Sequence, residues 1–112
     1  RLVLDTIASS ADISVLFAQG KRSHTPYLTL IVLRNEKQHD PSGRVAFIAG
    51  KKQGNAVWRN AAKRRMREIC RASGGPWKGY DVIFLAKSGI MKADYSKVLA
   101  ACADAVKKGG LQ

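Results

Sequence analysis

At 112 residues, 46% of them apolar, the chain is long enough for one well-packed domain and too short for two, so 1–112 reads as a single unit. Twenty lysines and arginines against eight acids give a net charge of +12, which points to a polyanionic partner, either nucleic acid or an acidic membrane surface. No apolar run reaches the roughly 18 residues of a membrane span, and the opening RLVLD turns acidic too soon for a signal peptide.

Residues 12–18 (DISVLFA) place Ile13, Leu16 and Phe17 at helical spacing, with Ser9 or Ser10 as cap and Gly20 as terminator. A short edge strand fits around 21–23. Residues 27–33 (YLTLIVL) form a continuous, β-branched run expected as a buried strand. Polar residues follow to a turn at Pro41, Ser42 and Gly43. The next strand, 45–49 (VAFIA), is expected to pair antiparallel with the first through that loop. Asn55 suits the N-cap of a long helix running to about Ser73, and Gly74, Gly75 and Pro76 stop it. Residues 80–86 (YDVIFLA) form a third clear strand. Residues 94–108 carry apolar positions at 95, 98, 99, 102 and 106, a final amphipathic helix closed by Gly109 and Gly110. The order α-β-β-(β)-α-β-α implies an α+β sandwich, one sheet with helices against it.

Charge is concentrated in one stretch. Residues 51–71 hold eight lysines and arginines and one acid, Glu68, more than half of the chain's excess. On a helical wheel, Trp58, Ala62, Met66 and Ile69 gather on one side with Cys70 at the margin. Arg59, Asn60, Lys63, Arg64, Arg67 and Arg71 take the other, while Arg65 lies near the apolar edge and snorkels out of it. Like charges at i,i+4 cost roughly 0.2–0.5 kcal/mol per pair, a cost that phosphates remove. Guanidinium groups suit bidentate phosphate contact and stacking on bases. Asn60 adds a donor and acceptor for a base edge or a 2′-hydroxyl. Lys51 and Lys52, ahead of Gly54 and Asn55, carry the charge past the helix N-terminus, where backbone N–H groups also favour anions.

These residues resemble the bacterial ribonuclease P protein component. The resemblance rests on 51–68 (KKQGNAVWRNAAKRRMRE): basic residues after a strand, then Gly-Asn-Ala-Val, then an Arg-Asn-Arg motif followed by Lys-Arg and Arg. It extends over 12–22, 27–33, 44–50 and 80–86. Three features depart from the family pattern. Ala61 stands at the third position of Arg-Asn-Arg, so one RNA contact is missing unless Arg64 and Arg65 compensate. Ile13 replaces a frequent Phe, and the N-terminal lead holds one cation, Arg1.

The resemblance implies a two-layer α/β sandwich with a four-stranded sheet in the order α-β-β-β-α-β-α. A left-handed crossover of the ribosomal-protein type joins the strands that flank the long helix. It also implies a bacterial, cytoplasmic ribonucleoprotein that removes the 5′ leader of precursor tRNA. There the RNA subunit and its Mg²⁺ carry the chemistry, and the protein has no catalytic residue of its own. Lys51, Lys52, Asn55, Arg59, Asn60, Lys63, Arg64, Arg65, Arg67 and Arg71 would contact the catalytic RNA. A cleft between the first helix and the sheet would take the single-stranded leader, with Phe17, Ile13 and Ile31 as contacts. Base–aromatic stacking contributes about 1–3 kcal/mol, which makes Phe17 the best stacking residue, although all three also suit plain core packing. No protein oligomer and no protein-bound metal are required.

Other readings differ in what they need. A general RNA-binding module shares the basic stripe but not the ordered motif. A nuclease needs clustered carboxylates or a His pair, whereas Asp5, Asp12, Asp40, Asp81, Asp94 and Asp104 are scattered in sequence and most of them suit solvation or capping. Membrane binding needs a broad apolar helix face, and this helix has a narrow one. Cys70 and Cys102 lack CxxC spacing, form no ligand pattern with His24 and His39, and fit buried thiols in a reducing compartment. Trp58 suits the core, and the loop residue Trp77 is open.

Overall fold

The computed structural model describes residues 10–34, 43–50, 52, 54–75, 77 and 79–109. The expected Ser9 cap, the polar loop 35–42, Lys51 and Pro76 lie outside them. The described residues form three helices and four strands: α1 (Ser10–Gln19), β1 (Lys21–His24), β2 (Leu28–Arg34), β3 (Arg44–Ile48), α2 (Ala56–Ala72), β4 (Tyr80–Ala86) and α3 (Tyr95–Lys108). A short 3₁₀ turn at Ser88–Met91, not anticipated from the sequence, leads from β4 towards α3.

Local chemistry sets the boundaries. The Gly20 N–H closes α1 on the Leu16 carbonyl at 2.8 Å. A Cβ at Gly20 would lie 2.5 Å from both Ile31 Cγ2 and the Leu16 carbonyl, so only glycine lets the chain turn this close to β2. The Thr25 hydroxyl shapes the β1–β2 turn, accepting from the Leu28 N–H at 3.0 Å and donating to the Leu28 carbonyl at 2.8 Å. Asn55 caps α2 as expected, its Oδ1 accepting the Trp58 N–H at 2.9 Å. Past the C-cap Ser73, Gly74 takes the left-handed φ of +96° that ends α2. Asp94 stands at the N-cap of α3 in extended geometry but makes no side-chain cap hydrogen bond.

The strand order is β1-β2-β4-β3, with β1–β2 and β2–β4 antiparallel and β3–β4 parallel. The expected β2–β3 hairpin is therefore corrected, because β4 lies between them. Two physical reasons favour this order. First, β2 and β4 are apolar on both faces and belong at the centre, whereas β3 is short and half-exposed and belongs at an edge. Second, the intervening segment is longer than the 2–5 residues of a usual hairpin loop, while α2 supplies the crossover that a parallel pair requires.

Alternation along the strands divides the core between the two sheet faces. On one face, Leu28, Leu30, Val32, Val45, Val82 and Phe84 pack beneath Ala62, Met66 and Ile69 of α2 and Val98, Cys102 and Val106 of α3. The sheet with this helical layer makes the expected two-layer sandwich. On the other face, Leu16 of α1 packs on Ile31, Ala46 and Ile83. Trp77 is a core residue, buried and stacked on Phe84 with centroids 6.1 Å apart. Trp58 is half-buried, its indole lying so close over Gly54 that a Cβ there would sit 2.7 Å from the ring. Asp81 is an exception among acids expected for the most part to be solvated or to cap. It is buried and receives a bidentate pair from its cross-strand partner Arg44, Nε to Oδ1 at 3.1 Å and Nη2 to Oδ2 at 2.8 Å. Removing one partner of such a pair costs about 3–5 kcal/mol. Cys70 and Cys102 are both buried free thiols.

Candidate nucleic-acid interface

Helix α2 sorts its residues by what each side must face. Ala62, Met66, Ile69 and Cys70 are buried against the sheet and α3. Asn60, Arg64, Arg67 and Arg71 are exposed, while Arg59 and Lys63 are half-buried at the flank. Arg59, Lys63, Arg67 and Arg71 follow one another at i,i+4, so they form a continuous cationic ridge. The ridge runs beside the β3 edge, where the Arg67 guanidinium carbon lies 5.8 Å from the Phe47 ring centroid. Among the described residues, none of these cations forms an ion pair. The first turn of α2 holds no acid, and Lys52 is exposed just ahead of it. The positive end of the helix dipole thus adds to the ridge. Val57, 78% exposed, shares this outer arc.

Arg65 departs from the expected set. Its Nη1 donates to the Ile90 carbonyl at 3.0 Å and to the Ala93 carbonyl at 2.8 Å, and its guanidinium lies over the Tyr95 ring. It therefore ties α2 to the 3₁₀ turn and the start of α3, and of the two neighbours that could offset Ala61 only Arg64 is exposed. The wheel placed Arg65 at the apolar margin but could not show which way the side chain leaves it.

On the opposite sheet face, where the expected cleft would lie beside α1, Ile13 and Phe17 are half-buried together with Leu33, Ile48 and Leu85 of the sheet. Ile31 is fully buried in one cluster with Leu16, which corrects its expected place as an open contact. Leu33, two residues on along the same face, and Ile48 and Leu85, a cross-strand pair, are the half-buried continuation of this face that sequence reading did not single out. Period-2 alternation from Ile31 gives Leu33, whereas the other two need the β3–β4 register.

The acids offer little chemistry. Asp81 is held by Arg44, and Asp104 pairs with Lys108 at 3.0 Å on the surface of α3. Among the described residues, no group of His, Cys, Asp or Glu is placed to hold a metal ion, and no helix is long and apolar enough to cross a membrane. The arrangement offers two surfaces: a cationic ridge on one side and, on the other, a half-buried apolar face that includes the Phe17 ring.

The family model described as Ribonuclease P matches residues 4–110. The chain belongs to the ribonuclease P protein family. A ribonuclease P protein component from Clostridium botulinum is 32% identical over 102 residues, covering 87% of this chain and 82% of that protein. One from Streptococcus agalactiae is 30% identical over 105 residues, 94% of each chain. The fold matches the Staphylococcus aureus ribonuclease P protein with a TM-score of 0.81 at 20% identity, covering 97% and 98% of the two chains. It matches the Thermotoga maritima protein at 0.77 and 24% identity, covering 93% and 96%. Four strands and three helices in this α+β arrangement are thus the ribonuclease P protein fold.

Proposed function

We propose that this chain is the RNA-binding subunit of a ribonuclease P. It would hold the catalytic RNA on the α2 ridge and the 5′ leader of precursor tRNA in the α1 cleft. The observation that carries the reading is the ridge of Arg59, Lys63, Arg67 and Arg71, unpaired by acids among the described residues, on a chain whose family is defined by that enzyme. Asn60 and Arg64, exposed beside the ridge, complete the surface, with Asn55 and Lys52 at the helix start. Arg65 belongs to the scaffold that presents it.

The cleft suits a single strand. Phe17 offers a ring for stacking, and Ile13, Leu33, Ile48 and Leu85 offer apolar contact that any base can use, without the hydrogen-bond readout that would demand one sequence. In this reading Mg²⁺ and the phosphodiester hydrolysis it supports belong to the RNA subunit. This chain's own residues bind and orient: the ridge neutralises phosphates, and the cleft keeps the leader extended beside the scissile bond.

Two binding measurements test the reading. Arg67→Ala should lower affinity for a bacterial ribonuclease P RNA and reduce the slope of log affinity against log salt by about one unit. An unchanged slope would move the binding face off α2. With the holoenzyme, Phe17→Ala should weaken precursor tRNA by about five-fold or more and leave mature tRNA unchanged. Equal losses on both would place Phe17 in the core alone.

A further inference from the structure

We propose that Arg22 is a second leader-contacting residue, resting on the Phe17 ring when the cleft is empty and passing to a leader phosphate when a base takes its place. The proposal depends on the leader reading of the α1 cleft. Arg22 is the cross-strand partner of Ile31, so it stands on the α1 side of the sheet. It is exposed, and β1 is the outer strand of the sheet, so no further strand blocks a chain leaving the cleft there. Its guanidinium carbon is 5.8 Å from the Phe17 centroid, and its Nη2 donates to the Phe17 carbonyl at 3.0 Å.

That carbonyl lies in the last turn of α1, where the helix dipole is negative, which fixes the cation at the cleft mouth. The hold is light: a surface cation–π contact and one neutral acceptor. Among the described residues, Arg22 has no carboxylate partner, and its Nε and Nη1 have no acceptor. A guanidinium with donors to spare beside an aromatic ring is a ready site for one nucleotide, ring to base and fork to phosphate.

The test uses the reconstituted holoenzyme and three RNAs: precursor tRNA with a long leader, the same RNA with its leader cut back to the last nucleotides, and mature tRNA. Arg22→Ala should weaken the long-leader RNA about two- to five-fold and lower its salt slope by about 0.7, the value for one phosphate contact on a single strand. The other two RNAs should bind as before. Lys97→Ala, which removes an exposed cation from α3, should change none of the three. Arg22→Ala behaving like Lys97→Ala, or losing equally on all three RNAs, overturns the proposal. Phe17→Ala separates the two levels. If it shows a leader-dependent loss and Arg22→Ala does not, only this proposal fails; if it shows none, the leader reading fails with it.

Discussion

Two arginines one position apart on α2 face different surroundings. Arg64 is exposed, whereas Arg65 spends its guanidinium on two backbone carbonyls and the Tyr95 ring. Losing those contacts leaves two carbonyls short of a donor, so Arg65→Ala should cost roughly 1–3 kcal/mol of stability in a urea melt, with a smaller loss of RNA affinity than Arg64→Ala. Unchanged stability with a matching loss of RNA binding would return Arg65 to the interface. The cysteines give a pH signature at the same scale. Burial first, then repulsion from Cys102, pushes the Cys70 thiol up to about 12, and burial also raises Cys102. In the unfolded chain these thiols ionise at about 8.5. The native state therefore keeps protons that the unfolded state gives up, and stability falls as pH rises between those values. The thermal midpoint should drop over that range, and Cys70→Ala should flatten the drop relative to the parent chain; equal slopes in both would show that Cys70 ionises freely when folded.

At the scale of elements, what the sequence reveals depends on how local the determining forces are. The bounds of α2 and β4 were legible because Asn55, Gly74 and the YDVIFLA run act within a few residues. The cap is a measurable part of this: Asn55→Ala should cost about 1 kcal/mol, and a urea melt indistinguishable from the parent would show the Trp58 N–H satisfied by another route. The pairing of β3 was not legible. It depends on β4 taking the centre and on Arg44 meeting Asp81 across 37 positions of sequence, and no local pattern encodes either. The candidate site divides the same way. Helical periodicity found the α2 ridge, but the direction taken by Arg65, the burial of Ile31 and the addition of Ile48 and Leu85 to the cleft all follow from tertiary register.

At the scale of the whole molecule, the sheet separates two surfaces and its β3 edge joins them. Phe47 faces α2 and lies under Arg67, while the next residue, Ile48, faces the α1 cleft. On the proposed reading, a catalytic RNA seated on the ridge would thus run close to a leader lying beside α1, with β3 between them. On the proposed reading, the net charge of +12 would let this small domain lower phosphate repulsion where two RNA chains meet, which is otherwise the task of bulk Mg²⁺. The direct test is single-turnover cleavage of precursor tRNA by a bacterial ribonuclease P RNA across a Mg²⁺ titration, with and without this protein. The expected result is no cleavage by the protein alone and a shift of the RNA's Mg²⁺ requirement to lower concentration when the protein is present. Cleavage by the protein without RNA, or identical Mg²⁺ curves with and without it, would contradict the account.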